Sequence, residues 1–203
     1  MWGDGYPAWS VSVTSAPATE PVSRTEAKLH LRVDTTTDDT WIDNAIQAAR
    51  EYAETVTGRA FITQTLALKL EGFPNGQPLW LPRPPLVSVT SVAYVDPNGN
   101  TQSWASNAYE LSQPSGPRAS YARILPLWGT QYPVTRPQME AVTVTYVAGY
   151  GAASAVPQAI KSAILLLVGH LYANREAVVM DLRVADLPLG VQALLSPYMV
   201  TQW

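Results

Sequence analysis

The chain has 203 residues, of which 47% are apolar and 14% charged, with no cysteine and a net charge of −3 at pH 7. These values are typical of a globular protein with a sizeable core. The lack of cysteine excludes disulfides, zinc–thiolate sites and thiol chemistry. The negative charge argues against general affinity for nucleic acid or anionic membranes.

Residues 1–22 predict an extended N-terminal arm. They are rich in Trp, Pro, Ser and Thr, and they lack the basic and apolar regions of a signal peptide. Large aromatic side chains in such a segment normally require a partner surface. We therefore expect Trp2 and Trp9 to contact a partner or a neighbouring subunit.

A short helix is predicted over residues 24–32. Ser23 is a good N-cap residue, and Glu26 follows three positions later, which is the spacing of a capping box. Such a box satisfies backbone N–H groups that the first turn of a helix leaves without partners.

A longer helix is predicted to follow, centred on residues 42–56. Apolar residues recur there with a period of 3.6, and Gly58 is typical of the position just after a helix. Arg50 and Glu54 are four residues apart, so we expect them to form an ion pair on the solvent-exposed face of the helix.

Beyond this helix the hydrophobic period changes from 3.6 to 2, which predicts strands. Three strand-like stretches stand out, and Asn98-Gly99 predicts a tight reversal after the second of them. They are ITQTLALKLEGF, PLVSVTSVAYV and EAVTVTYVAGY.

The most apolar stretch is SAILLLVGHLYANRE, residues 162–176. Its uninterrupted apolar part is much shorter than the roughly 20 residues that a membrane span needs. The helical period returns here after Pro157, and apolar residues occupy most of the circumference. We therefore predict the central helix of a helical cluster, followed by a short terminal helix and tail in residues 187–203.

This order of elements predicts an α+β fold, a helical domain with an inserted small β-module. The helical domain comprises residues 23–60 and 156–203, and the β-module comprises residues 61–155.

No pattern in the sequence indicates catalysis or a cofactor. His30 and His170 lack partners at the spacing that a catalytic triad or metal site needs, which favours structural or interface roles. The acidic run DTTTDD lacks the central glycine of an EF-hand, and GYGAAS lacks the lysine of a phosphate loop. The sequence therefore predicts a protein that is not an enzyme, with no cofactor and no metal.

The C-terminal segment, residues 187–203, is the strongest candidate for an anchor that binds a partner or neighbouring subunits. It carries large apolar side chains with no later residues to cover them, and such residues commonly dominate the free energy of binding. The alternative is that the segment folds back onto its own helical domain. The candidate residues are Leu194, Leu195, Tyr198, Met199 and Trp203.

Six stretches, in the same order along the chain, resemble a known family, the head–tail connector (adaptor) proteins of long-tailed phages and phage-derived gene transfer agents. They are EAKLHLRVD, DDTWIDNAIQAAREYAETVTGRAF, LPRPPLVSVTSVAYVDPNGN, VTYVAGYG, VPQAIKSAILLLVGHLYANRE and LPLGVQALLSPY.

The resemblance implies a structural virion protein of the neck, assembled in the host cytoplasm. It implies a homo-oligomeric ring of about twelve subunits. The implied partners are the protein itself, the portal and a stopper or tail-side neck protein, with no membrane. The C-terminal segment is expected to anchor the chain to the portal or to neighbouring subunits. DNA would pass through the ring without specific binding, so we expect a neutral or acidic lumen.

An alternative function is a carbohydrate-binding or hydrolytic surface module. It would use Trp80, Trp104 or Trp128 of the aromatic-rich β-module as a stacking platform. The sequence shows no paired carboxylates and no convincing nucleophile, which favours the connector.

Overall fold

The computed structural model describes residues 6–175 and 189–200, and its helices and antiparallel sheets confirm the predicted α+β class. The helices are α1 (Arg24–Leu31), α2 (Asp39–Thr57), α3 (Gln158–Ala173) and α4 (Leu189–Leu195). The strands are β1 (Trp9–Ser15), β2 (Gln64–Leu70), β3 (Leu79–Leu81), β4 (Leu86–Val95), β5 (Thr101–Ser103), β6 (Tyr109–Ser112), β7 (Ala122–Pro126) and β8 (Val142–Ala148).

The predicted capping box at the start of α1 is confirmed. The backbone N–H of Glu26 donates to the Ser23 hydroxyl at 3.2 Å, and the backbone N–H of Ser23 donates to the Glu26 carboxylate at 2.7 Å. The preceding Val22 and the following Ala27 are both buried, which fixes the direction in which the chain enters the helix. The helix ends at Leu31, where Arg32 adopts a left-handed conformation.

We expect Ser23→Ala to lower the free energy of unfolding by about 1 kcal/mol, because it leaves an N-terminal backbone donor without its partner. Thr25→Ala, at an exposed position in the same turn, is the matched control. Urea unfolding at pH 7 measures both. Equal stabilities for the two variants would contradict a role for the cap.

The contribution of this cap should also depend on pH. The bonds from Ser23 hold the pKa of Glu26 below its usual value. A carboxylate with a lowered folded-state pKa contributes stability above its unfolded pKa of about 4.3 and loses it as the pH falls through the folded value. The cost of Ser23→Ala should therefore shrink in acid.

Two antiparallel sheets form the β-module. The larger has the strand order β1-β2-β8-β4-β5, and the smaller has the order β3-β7-β6. The three strands predicted from sequence, β2, β8 and β4, lie together in the middle of the larger sheet. The predicted reversal is confirmed as the β4–β5 turn, in which Gly99 has a positive φ of 89°. The three strands of the smaller sheet were not predicted.

The N-terminal arm requires a correction, because residues 9–15 form β1 at the edge of the larger sheet. Trp9 lies opposite Leu70, and Ser15 lies opposite Thr65. The apolar residues of the segment WSVSVTS alternate with serine and threonine, which is the period of a strand. The composition of the whole arm concealed this short signal.

Two hydrophobic clusters make up the core. The first lies among the helices, with α3 in contact with α1, α2 and α4, so the prediction of a central helix is confirmed. Its fully buried α3 residues are Ile160, Ala163, Ile164 and Val168. The second lies between the two sheets. The two clusters adjoin at residues 60–62. The domain boundaries predicted at residues 60/61 and 155/156 stay a prediction.

The ion pair predicted for the exposed face of α2 is buried instead. The side chains of Arg50 and Glu54 are only 7% and 4% exposed, and Arg50 donates to Glu54 at 2.9 Å. The Arg50 side chain also donates to Glu20 at 2.6 Å. This correction has a tertiary cause, because the segment that precedes α1 and the segment that follows α2 cover this part of the helix.

The buried Glu54 carboxylate joins the helical cluster to the larger sheet. One of its oxygens accepts from the Phe61 backbone N–H at 2.7 Å and from the Gln64 side-chain amide at 3.0 Å. Burial raises the pKa of Glu54, while the Phe61 N–H and the charge of Arg50 act in the opposite direction. Within the described residues every buried side-chain nitrogen and oxygen has a hydrogen-bond partner, including those of Arg50 and Glu54.

Candidate partner-binding surfaces

The C-terminal segment packs against the helical cluster of its own chain. Leu195 is 0% exposed and Val191 is equally buried, while Leu194 and Tyr198 are half-buried on the same core. Met199 is 40% exposed. Over residues 189–200 the structure thus adopts the fold-back arrangement that the sequence left as the alternative to an anchor.

Polar contacts hold the end of this segment in place. The buried side chain of Arg59 donates to the Tyr198 carbonyl at 2.5 Å and to the Ala119 carbonyl at 2.7 Å. The backbone N–H of Val200 donates to the Thr57 carbonyl at 2.9 Å. A partner can therefore reach Leu195 only if α4 leaves its own domain, whereas Tyr198 and Met199 keep accessible surface.

The N-terminal aromatic residues contact the chain's own β-module. Trp9 packs against the core between the sheets, and the backbone N–H of Trp80 donates to the Tyr6 hydroxyl at 3.1 Å. Trp9 thus has an intramolecular contact, and its predicted contact with a partner stays a prediction. Trp2 and Trp203, the other terminal tryptophans predicted to bind a partner, lie outside the described residues.

Trp128 is a fully exposed tryptophan in the loop after β7. The sequence suggested it only as part of a sugar-binding platform. Trp128 follows β7 and is 98% exposed, with the half-exposed Leu125 and Leu127 beside it. The exposure of Trp128 depends on the tertiary packing around the loop, which the sequence does not show.

A second apolar feature lies beside the C-terminal segment. It is an open recess of about 710 Å³, and we name it the Tyr198 recess. Prolines and tyrosines supply much of its wall, and Arg118 places its guanidinium carbon 5.9 Å from the Tyr198 ring centroid. Its lining includes Pro85, Val87, Pro117, Tyr150, Pro157 and Tyr198. Like the Trp128 loop, it was not identified from the sequence as an interface.

Within residues 6–175 and 189–200 no group of His, Asp or Glu side chains is arranged to hold a metal ion. His30 lies against α3, since a Cβ atom at Gly169 would come within 3.5 Å of its ring nitrogen. None of the helices in this part of the chain is long and apolar enough to cross a membrane.

Comparison with protein families gives a match over part of the chain. Residues 25–111 match the sequence model of the phage gp6-like head-tail connector protein family. The match supports the resemblance seen in the sequence over these residues. The match covers α1, α2 and the strands from β2 to β6, so it includes part of the helical cluster and part of the β-module.

Solved structures extend this relationship to almost the whole fold. A chain in the neck of an empty gene transfer agent particle, computed with C6 symmetry, has a TM-score of 0.78 at 24% identity, covering 96% of this chain and 97% of that one. A chain in the neck of a native particle, computed with C12 symmetry, has a TM-score of 0.71 at 24% identity, with the same coverages.

A third similar chain comes from the virion of a native gene transfer agent particle. It has a TM-score of 0.76 at 24% identity, and the match covers 95% of this chain and 96% of that one. Comparison with curated protein sequences gives no significant match. At these identities the structural matches establish a common fold.

Proposed function

We propose that this chain is a structural subunit of a head–tail connector ring in the neck of a phage or gene transfer agent particle. The ring docks under the portal, continues the DNA channel and joins the capsid to the tail. The observation that carries this proposal is the agreement over 96% of the chain with a neck protein, together with the head–tail connector family match over residues 25–111.

The role is mechanical rather than catalytic. A connector subunit must hold a fixed shape while it contacts different proteins above, below and beside it. Two adjoining cores tied by the buried Glu54 provide such a rigid body. The proposed partners are other copies of the chain, the portal and a stopper or tail-side neck protein. With a net charge of −3, the lumen of the ring is proposed to be neutral or acidic, so that DNA slides without binding.

The carbohydrate-binding alternative has little support from the aromatic residues. Trp104 is buried in a cluster with Phe73, Tyr109 and Tyr132. Trp80 lies under the guanidinium of Arg123, at 5.3 Å from its ring centroid. Of the three tryptophans considered for a platform, only Trp128 is fully exposed, and one ring does not form a stacking face.

Deletion of the gene from a producing strain tests the proposed function. We expect DNA-filled heads and separate tails to accumulate unjoined, because the link between them is missing, and expression of the intact chain in trans to restore complete particles. Electron microscopy and infectivity or transfer assays measure this. Joined, functional particles without the chain would contradict the proposal, and a defect only in attachment to cells would favour carbohydrate binding.

A further inference from the structure

The loop after β7 holds Trp128 outward by its backbone geometry. The Thr130 N–H donates to the Leu127 carbonyl at 2.9 Å, and the Thr130 hydroxyl donates to the same carbonyl at 2.7 Å. Gly129, between Trp128 and Thr130, has a φ of 78°, which the third position of a type II turn requires. This turn fixes the backbone that carries the indole before any partner arrives, which lowers the conformational entropy that the loop loses on binding.

The Tyr198 recess has a surface that suits an indole ring. Its prolines and tyrosines are flat, mostly apolar groups, and the Tyr150 hydroxyl is satisfied by the Pro117 carbonyl at 2.7 Å. The guanidinium of Arg118 lies over the ring of Tyr198, one of the residues that line the recess, so a cation lies close to this aromatic wall. Tryptophan and arginine are the residues most enriched at the energetic centres of protein interfaces.

The turn and the recess lie at opposite ends of the smaller sheet. In the β6–β7 pair, Ser112 lies opposite Arg123 and Tyr109 lies opposite Pro126. Residues 113–117, which follow the first end of this ladder, line the recess, whereas Trp128 follows the other end. The two features are therefore separated by at least about 10 Å of strand, and one chain cannot fill its own recess with this indole.

This arrangement fits head-to-tail assembly. A closed ring needs two different surfaces on each subunit that complement each other, whereas one self-complementary surface gives a dimer. We propose that Trp128 of one subunit binds in the Tyr198 recess of the next subunit around the ring. The inference rests on the proposed ring function and identifies the lateral contact within that ring. It also assigns Tyr198 to a subunit–subunit contact rather than to the portal.

Cross-linking in purified particles tests the contact, and a chain without cysteine is well suited to it. Ser115→Cys places a thiol at the recess, and Gln131→Cys places one beside the turn while Trp128 is retained. Both positions are exposed. With a short bismaleimide we expect the double variant to give a ladder of linked chains that extends to the full ring. A matched pair, Ser115→Cys with Ala48→Cys on the exposed face of α2, should give no ladder.

Substitution of the indole provides a second measurement. Trp128→Ser should lower the yield of joined particles at least about tenfold, because a central aromatic anchor is lost. The purified variant should keep its circular dichroism spectrum and thermal midpoint, since a fully exposed side chain contributes little to folding. Met139→Ser is the control, because Met139 is 80% exposed in a different loop of the β-module, and it should leave the yield unchanged.

The outcomes separate this inference from the proposed function. Suppose that particles contain the chain at the neck, but the double variant Ser115→Cys/Gln131→Cys gives no ladder, or a ladder that stops at two chains. The proposed lateral contact is then wrong, and the connector role stands. A normal yield with Trp128→Ser also overturns the contact. If the chain is absent from purified particles, the connector role fails, and the contact that rests on it fails too.

Discussion

Glu54→Ala is expected to lower the free energy of unfolding by about 3–5 kcal/mol, because it leaves Arg50 as a buried charge without its closest buried partner. The substitution also removes the acceptor of the Phe61 N–H and of the Gln64 amide. These groups lie where the helical cluster adjoins the larger sheet, so the loss should affect both cores. Chemical denaturation of the purified chain at pH 7 measures the change.

Two variants serve as matched controls for this prediction. Glu51 also contacts Arg50, but its side chain is 56% exposed and the distance is 3.4 Å, so Glu51→Ala should change stability by less than about 0.5 kcal/mol. Glu54→Gln retains an acceptor for Phe61, and Arg50 keeps its bond to Glu20. The loss of unfolding free energy with Glu54→Gln should therefore lie between the losses with Glu51→Ala and Glu54→Ala. Equal effects at positions 51 and 54 would show that burial of the pair is not what matters.

Leu195→Ala is expected to lower the free energy of unfolding by about 2–5 kcal/mol, because the side chain is fully buried in the helical core and its loss leaves a cavity. Met199→Ala, four residues later and 40% exposed, should cost much less. Both variants are measured by thermal and chemical unfolding of the isolated protein, with no portal present.

This comparison decides between the two roles considered for the C-terminal segment. Truncation after residue 187 would remove Val191 and Leu195 together, so we expect the shortened chain to unfold or aggregate. If Leu195→Ala and the truncated chain both fold with normal stability, the segment is free to serve as an anchor for another protein. In that case α4 does not belong to the stable core of the isolated subunit.

The helices were the most predictable part of the fold, because their signals are local. Ser23 and Glu26 mark a helix start within four residues, and Gly58 marks a helix end with a φ of 68° in the structure. The strands β2, β4 and β8 were equally clear, since each has at least seven residues and is rich in apolar or β-branched side chains. Local chemistry and long periodic stretches are sufficient for such elements.

Elements that depend on distant partners were missed or misplaced. The strands β3, β6 and β7 have five residues or fewer and lie in a proline-rich region, so their period is too short to recognise. The pairing of Arg50 with Glu54 followed from their spacing, but their burial depends on Glu20 and on the chain around Gln64. Sequence spacing carries no information about that cover.

The candidate partner-binding residues were also predicted only in part. The apolar character of residues 194–199 was correctly identified, but the sequence alone could not distinguish a surface that awaits a partner from one already covered by α2 and α3. Conversely, Trp128 was noted in the sequence, but its exposure is visible only in the folded chain. The pairing of β6 with β7 places it at the other end of the smaller sheet from the Tyr198 recess.

A cryo-electron microscopy reconstruction of the neck in purified particles tests the central claim most directly. The account predicts a closed ring of copies of this chain between the portal and the tail, with the fold described here and Trp128 at the boundary between neighbouring subunits. A neck whose density does not fit this fold, or particles that carry the chain as single copies away from the neck, would contradict it.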